Sequence, residues 1–150
     1  MKVIIQRVLR ANVSINGELY SSIGEGMMIL VGIQADDTNE DIEWLTGKIC
    51  HLRIFDDEAG VMNRSIQEIK GDVLAVSQFT LMARVKKGNR PSYIDAACPE
   101  ISIPLYEKFV QSLSEEMKKD VKTGIFGADM KVELINNGPV TILIDSKNRI

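Results

Sequence analysis

Short apolar runs separated by polar turns dominate the first part of the chain and predict β-strands. Residues 3–5 and 13–15 form two such runs, and the second leads directly into Asn16-Gly17. An Asn-Gly pair favours the positive φ angles of a two-residue hairpin turn, so residues 18–23 are expected to form the return strand. Residues 27–33 are nearly all apolar, which is typical of a central strand that is buried on both faces.

A helical pattern follows this strand. Thr38 with Asp41 three positions later resembles a capping box at the start of a helix. The next apolar residues recur at helical spacing and form one stripe: Ile42, Leu45, Ile49 and Leu52. Residues 56–60 are typical of a turn. Residues 73–76 predict a second buried strand, which is expected to run straight on through residues 77–81.

The second half of the chain is expected to contain a polar loop, a helix and two strands. The loop spans residues 83–100, and Pro104 fits the first turn of the helix that follows. The buried face of this helix carries Leu105, Phe109, Leu113 and Met117. Residues 130–135 and 140–145 predict a hairpin-like pair of strands around an irregular turn.

These elements do not alternate strictly between strand and helix. A chain of 150 residues fits one domain. We therefore predict a single α+β domain over residues 1–150, with a curved, largely antiparallel, barrel-like sheet. Two main helices are expected to cover one side or end of that sheet.

Composition narrows the class of protein without fixing its function. The chain is 45% hydrophobic and 26% charged, as in an average soluble globular protein, and its net charge of −3 is not that of a typical nucleic-acid-binding domain. Cys50 and Cys98 lie far apart, which favours free thiols in a reducing compartment. The apolar run at the N-terminus is too short for a signal peptide, and no run approaches the roughly 20 residues of a membrane span. We expect a cytoplasmic protein.

Several kinds of active site are excluded by residue type. His51 is the only histidine, and it lies nine positions after Ile42, or about 180° from the apolar stripe of its helix. It is therefore expected at the surface, and a Ser-His-Asp triad is not expected. One histidine and two distant cysteines do not form a zinc site. Residues 24–26 and 124–127 each contain two glycines, but neither stretch has the Lys-Ser/Thr ending of a phosphate-binding loop, so we expect turns there. We expect the protein to use no metal and no cofactor.

Three polar segments remain, each open to a functional and an ordinary structural interpretation. Residues 77–81 lie at the end of a buried strand, where rigidly held side chains often line a site. If they continue the strand, Ser77 and Phe79 lie on one face and Gln78 and Thr80 on the other. Residues 136–141 contain Asn-Gly-Pro, which first of all indicates a turn. Residues 84–91 carry four cations, which suit either phosphate binding or a solvated loop.

Taken in order, these segments resemble the D-aminoacyl-tRNA deacylase family. The similarity covers essentially the whole chain, and each short motif is weak alone but specific in series. The motifs that carry the resemblance are residues 1–8, 52–57, 60–63, Ser77-Gln78-Phe79-Thr80-Leu81, residues 88–93, residues 123–130 and Asn136-Asn137-Gly138-Pro139-Val140-Thr141.

The resemblance implies an enzyme that proofreads the chirality of aminoacyl-tRNA. Such an enzyme hydrolyses the ester of D-aminoacyl-tRNA and of mischarged glycyl-tRNA, and rejects the L-form through a cis peptide bond between Gly138 and Pro139. The family pattern also implies a homodimer with active sites at its interface, where the Gly-Pro segment enters from the partner subunit. The aminoacylated 3′ end of tRNA is the expected partner, and no DNA or membrane partner is expected.

The same resemblance assigns roles to single residues. Ser77 and Phe79 are expected to bind substrate, and Phe126 and Met130 to contact the terminal adenosine. Gln78 would orient the substrate or water. Thr80 has no obvious base to activate it, so we rank it as a positioning residue first and a nucleophile second.

Catalysis is expected to rest on backbone N–H groups near Phe79 and Thr80, and the resemblance implies help from the 2′-hydroxyl of the terminal ribose. The sequence leaves two rival functions open. One is a non-catalytic RNA- or DNA-binding module that uses residues 84–90. The other is an esterase or peptidase for small molecules that uses Thr80.

Overall fold

The computed structural model describes residues 1–150, with eight β-strands, two α-helices and a 3-10 turn. The strands are β1 (Lys2–Ile15), β2 (Glu18–Ile23), β3 (Gly26–Gly32), β4 (Phe55–Asp56), β5 (Met62–Arg64), β6 (Asp72–Ser77), β7 (Lys122–Thr123) and β8 (Met130–Asp145). The helices are α1 (Asn39–His51) and α2 (Pro99–Met117), and the 3-10 turn spans Phe79–Met82.

Six strands form one curved sheet in the order β2-β1-β3-β6-β7, with β8 also paired to β1. β1 is antiparallel to its three partners β2, β3 and β8. The pairs β3–β6 and β6–β7 are parallel, which the crossovers through α1 and α2, respectively, make possible. The α+β class, the two helices and the curved sheet are confirmed, and the sheet is mixed.

The local signals at the first turn and the first helix are confirmed. Asn16 and Gly17 both have positive φ, 52° and 77°, at the hairpin between β1 and β2. The main-chain N–H of Thr38 donates to the carboxylate of Asp41 at 2.8 Å, which completes one arm of the capping box. His51 is exposed at the end of α1, as predicted.

The core lies on both faces of the central strands. On one face, α1 and α2 pack their apolar stripes against alternate residues of the sheet, including Ile5, Ile29 and Ala75. On the other face, the curved sheet closes over a smaller cluster that includes Met28 and Leu74. β3 is therefore buried on both faces, as its unbroken apolar run predicts.

The second helix begins earlier than predicted, since the loop expected over residues 83–100 includes the first two residues of α2. α2 begins at Pro99, so Pro104 lies inside the helix and not in its first turn. The amide and the hydroxyl of Ser102 both donate to the Cys98 carbonyl, at 2.9 and 3.0 Å, which closes the first turn around Pro99. Since both prolines suit a first turn, spacing alone did not distinguish them.

Two further predictions are wrong. The strand predicted through residues 77–81 ends at Ser77, and a 3-10 turn follows it, so strict alternation of side chains does not apply there. The hairpin predicted around residues 136–139 does not exist: residues 130–145 form the single strand β8, and both of its halves pair with β1.

Neither α-helix is long and apolar enough to cross a membrane.

Candidate active site

A cavity of about 540 Å³ opens where β6 ends. Its size suits a small ligand or the end of a larger one. Five of the predicted site residues line it, namely Ser77, Gln78, Phe79, Phe126 and Met130. The opposite walls come from the end of β3 and the residue after it, from the segment before α2 and from the first turn of α2, and include Val31, Ile33, Ala96, Ala97, Pro99 and Ser102.

The position of Gln78 depends on a close approach between the 3-10 turn and β3. The main-chain N–H of Gln78 donates to the Val31 carbonyl at 2.7 Å, and the N–H of Leu81 donates to the Gln78 carbonyl at 3.2 Å. A Cβ at Gly32 would lie 2.9 Å from the Leu81 Cβ and 3.1 Å from the Gln78 carbonyl oxygen. Glycine at position 32 therefore allows the turn to close against the sheet.

Thr80 lies beside the cavity and not in its wall. The side-chain amide of Gln78 donates to the Thr80 hydroxyl oxygen at 2.5 Å. No ionisable side chain forms a hydrogen bond with either residue, so the turn offers no base to activate the hydroxyl. The N–H groups of Phe79 and Thr80 occupy the first turn of a helical segment, where they have no acceptor within that segment.

The wall formed by Phe126 and Met130 is held by two residues that the sequence pattern did not reveal. Tyr106 of α2 donates from its buried hydroxyl to the Ala75 carbonyl at 2.8 Å, and its ring meets the Phe126 ring edge-on at 5.8 Å between centroids. Burial, and then the charge of Tyr20, raise the pKa of Tyr106, so it stays a neutral donor. A Cβ at Gly124 would overlap the Met130 sulfur, so glycine there makes room for Met130.

Gly138 and Pro139 do not reach the cavity of their own chain. They lie on a bulge of β8, between the pairs Gln6–Thr141 and Val8–Asn136. β1 advances by two residues between these pairs (8 − 6) and β8 by five (141 − 136), so three extra residues project from the sheet. Gly138 and Pro139 are exposed, and the peptide bond between them is cis, as the resemblance implied.

Arg7 braces this bulge from below and was not among the predicted site residues. Its guanidinium donates to the carbonyls of Asn137 and Ile54, at 2.9 and 2.7 Å, and pairs with Asp56 at 3.0 Å. Arg7 is only 6% exposed. A signal was present: alternation along the first strand places Arg7 on the same buried face as Val3 and Ile5.

Comparisons with known proteins identify the family. The family model described as D-Tyr-tRNA(Tyr) deacylase matches residues 4–145. A D-aminoacyl-tRNA deacylase of Bacteroides fragilis (strain YCH46) is 65% identical over 149 residues, which cover 99% of each chain.

Two solved structures have the same fold. One, described as c-Myc DNA Unwinding Element Binding Protein, has a TM-score of 0.92 at 40% identity, over 97% of this chain and 98% of that one. The other, described as a probable eukaryotic D-amino acid tRNA deacylase, has a TM-score of 0.83 at 20% identity, over 95% and 97% of the two chains. At that identity, the second comparison shows the fold alone.

Proposed function

Since the chain belongs to the D-Tyr-tRNA(Tyr) deacylase family and is a hydrolase of D-aminoacyl-tRNA esters, we propose that its active site is the cavity beside Gln78, completed by the bulge of a second copy. The observation that carries this proposal is the convergence of Ser77, Gln78, Phe79, Phe126 and Met130 on one cavity. We propose further that this site discriminates D- from L-aminoacyl groups and also cleaves glycyl-tRNA.

The apolar wall suits the terminal adenosine of tRNA. Phe126 offers a ring face to a base, and Met130 offers a polarisable side chain that adapts to it. With the adenosine on this wall, the aminoacyl ester lies toward Gln78 and the 3-10 turn. This orientation gives the side chains of the cavity separate tasks, adenosine binding at one end and ester chemistry at the other.

The projecting bulge is suited to complete a neighbouring subunit's site. Gly138 and Pro139 are exposed and do not line the cavity of their own chain. Around the bulge, β1 and β8 expose large apolar side chains, with Leu9, Ile135 and Leu143 at 50%, 40% and 65% exposure. Apolar side chains that project from adjoining strands are suited to burial against a second copy. A homodimer would cover them and carry each bulge toward the partner's cavity.

Discrimination between D- and L-aminoacyl groups requires contacts with atoms that all amino acids share. A pocket for one side chain would select residue type, whereas main-chain atoms around the α-amino group judge only the configuration of the α-carbon. With the amino group and the ester fixed, an L side chain would meet the wall formed by Gly138 and Pro139, and a D side chain would point outward. Glycine has no side chain to reject, so glycyl-tRNA is also a substrate.

The hydrolysis needs little more than positioning and charge stabilisation. Water adds to the ester carbonyl, the negative charge develops on the carbonyl oxygen, and the ribose oxygen leaves with a proton. The N–H groups of Phe79 and Thr80 are suited to stabilise that oxygen. Gln78 orients the substrate or the water, and the neighbouring 2′-hydroxyl of the ribose assists proton transfer, since the turn holds no ionisable base.

The activity is tested with purified protein and tRNA charged with D-tyrosine, L-tyrosine or glycine, by following ester loss. Rapid loss from the D-tyrosyl and glycyl forms with the L-tyrosyl form spared is expected. Equal loss from all three would contradict chiral discrimination and indicate a general esterase. No loss from any would contradict the hydrolase assignment.

The shared site is tested by complementation. Gln78→Ala and Gly138→Val, each inactive alone, are mixed under conditions that exchange subunits. If the site is built across the interface, half of the random dimers are mixed and each has one intact site of two, so about a quarter of wild-type activity returns. If both residues serve the same chain's site, no activity returns.

Binding of nucleic acid without catalysis is the second candidate function. It is favoured by the similarity, at 40% identity, to a structure described as a DNA-element-binding protein. Equal affinity for uncharged tRNA and for an unrelated DNA duplex, together with no ester loss, would support this function over hydrolysis.

A further inference from the structure

The loop between Arg84 and Ser92, which we call the cationic loop, has no role in the chemistry proposed above. It contains Lys86, Lys87 and Arg90, and all three side chains are exposed. Its base is fixed by two main-chain hydrogen bonds between Arg84 and Ser92, at 2.8 and 3.0 Å. Arg84 also forms a two-pronged ion pair with Asp95, which neutralises the acidic residue nearest the loop in sequence.

The three loop cations are free, in contrast to much of the protein's positive charge. Half of the 18 lysines and arginines take part in ion pairs with acidic side chains. Lys86, Lys87 and Arg90 do not, although the protein has a net charge of −3. Three unpaired cations within five residues of an acidic protein form a local surface suited to a polyanion.

The cationic loop starts and ends at the rim of the cavity. On one side it follows the 3-10 turn that holds Phe79, and on the other it leads to Ala96 and Ala97, which line the cavity. The Tyr93 ring meets the Phe79 ring edge-on, with 5.0 Å between centroids. The Ala97 amide donates to the Ile33 carbonyl at 2.9 Å, which fixes the returning chain to the sheet.

The cationic loop is long enough to reach phosphates near a bound 3′ end. Seven residues separate Arg84 from Ser92, so the tip lies within about 12 Å of the loop's base even if each arm is extended. Along the axis of a nucleic-acid helix, successive phosphates of one strand rise by about 3.4 Å, and the direct distance between them is longer than this rise. With the 3′ end in the cavity, the loop therefore lies within reach of the nearest phosphates only.

We propose that the cationic loop binds phosphates of the tRNA acceptor arm while the aminoacyl end occupies the cavity. This inference rests on the proposed function, because it takes the cavity as the site of the ester. Lys86, Lys87 and Arg90 then contribute to the affinity for the whole tRNA and leave the chemical step unchanged. They bind charge and do not read base sequence.

A second group of unpaired cations provides a matched control. Lys70, Lys118 and Lys122 are exposed and take part in no ion pair. Lys70 and Lys118 flank a shallow depression that shares no lining residue with the cavity. Replacing these three by glutamine removes the same charge as the triple change in the cationic loop, so it reports the effect of net charge alone.

The test compares the K86Q/K87Q/R90Q and K70Q/K118Q/K122Q variants with the wild type on D-tyrosyl-tRNA and on D-tyrosyl-adenosine, a phosphate-free ester. For the loop variant on tRNA, KM is expected to rise about tenfold or more with kcat kept. The slope of log affinity for uncharged tRNA against log salt is expected to become shallower by about 3. Hydrolysis of D-tyrosyl-adenosine is expected to stay at the wild-type rate, and the control variant to behave like the wild type.

Three outcomes would overturn the inference. Wild-type KM and salt slope in the loop variant would show that the loop does not bind phosphates. Equal weakening in both variants would assign the effect to net charge. A parallel loss on D-tyrosyl-adenosine would assign the loop a structural role at the cavity.

The outcome for the proposed function is separate. Absence of hydrolysis by the wild type would contradict the proposed function. The salt dependence of the affinity for uncharged tRNA would still test whether the cationic loop binds phosphates. A DNA duplex of equal length serves as competitor, and equal competition by it would overturn the assignment to the acceptor arm.

Discussion

Arg7 donates from its Nε to the main-chain carbonyl of Asn137 at 2.9 Å, one residue before Gly138. A buried cation on β1 thereby fixes the main chain of a bulge that is exposed on its outer side. Arg7 also donates to the Ile54 carbonyl and to the Asp56 carboxylate. All three hydrogen bonds come from the N–H donors of one planar guanidinium group. This rigid fork holds the bulge from below, in addition to the bulge's own hydrogen bonds, in which Asn136 accepts from the Val140 N–H and donates to the Thr141 hydroxyl, both at 3.0 Å.

Arg7→Lys is expected to lower kcat/KM for D-tyrosyl-tRNA by about 10- to 100-fold, because an ammonium group does not reproduce the planar fork and a hydrogen bond to a charged group contributes about 1.5–3 kcal/mol. Arg10→Lys is the control, since Arg10 is exposed and pairs only with Glu133. Steady-state deacylation measures both. Wild-type kcat/KM in Arg7→Lys would show that the bulge holds its position without the fork.

Gly138→Ala is expected to lower turnover of the D-substrate or to reduce the D-to-L ratio of kcat/KM by at least about tenfold. The added Cβ would lie 2.8 Å from Val140 Cγ2 and 3.1 Å from Arg7 Nη2, at a φ of 135° that disfavours any side chain. Gly60→Ala controls for positive φ, because Gly60 has φ 74° and no neighbour within 4 Å. Wild-type rates on both substrates would refute this role for Gly138.

Thr80→Ala is expected to keep substantial activity, since Thr80 receives a hydrogen bond from Gln78 and has no base beside it. Thr80→Ser, which keeps the hydroxyl, should be closer still to the wild type. Single-turnover deacylation gives the chemical rate for both variants. A loss of more than about a thousandfold in Thr80→Ala alone, comparable with the removal of a key catalytic group, would make Thr80 the nucleophile.

Asp41→Asn is expected to lower the free energy of unfolding at pH 7 by about 1–2 kcal/mol, through loss of its arm of the capping box and of its ion pair with Lys147. Burial raises the pKa of Asp41, but hydrogen bonds from Ser146, Lys147 and Thr38 outweigh it and hold the pKa well below its usual value.

A depressed pKa gives stability that is complete above the unfolded value of 3.8 and is lost as the pH falls toward the folded value. Urea unfolding of the wild type and of Asp41→Asn between pH 7 and pH 3 should therefore show a difference in the free energy of unfolding that narrows only below about pH 4. Glu43→Gln, an exposed change on the same helix, should leave the curve unchanged. A constant difference over the whole range would contradict this account of Asp41.

Only one of the two cysteines is expected to react with thiol reagents in the folded protein. Cys98 is exposed, whereas burial and then the charge of Glu116 raise the pKa of the Cys50 thiol to about 12. Reaction with a chromogenic disulfide at pH 8 should release one equivalent quickly, and two after unfolding. Cys98→Ser should abolish the fast phase, and its persistence would place Cys50 within reach of solvent.

The sequence predicted those parts of the fold that local chemistry determines. Asn16-Gly17 and the Thr38–Asp41 box carry their own backbone preferences, so both were found. The unbroken apolar run of β3 likewise required burial on both faces. The parallel pairing of β3 with β6 depends on how α1 packs across the sheet, and no short segment records that.

The candidate site was predicted in its residues and not in its shape. Residues 136–139 have strong turn propensity, but pairing of both flanks with β1 keeps the chain running in one direction and converts the expected turn into a bulge. The 3-10 turn after Ser77 depends on Gly32, which is distant in sequence. Arg7 was recognisable by alternation on its strand, but its partners come from two distant segments, residues 54–56 and the bulge of β8.

The two halves of β8 are each attached to β1, one on either side of the bulge. A residue inserted in an ordinary strand would slide the remainder and turn every following side chain to the opposite face. Here each half keeps its own register, so an insertion or deletion in the bulge changes only how far it projects. The distance by which this segment projects from the sheet can therefore evolve, or be engineered, without a change in the register of either half of β8.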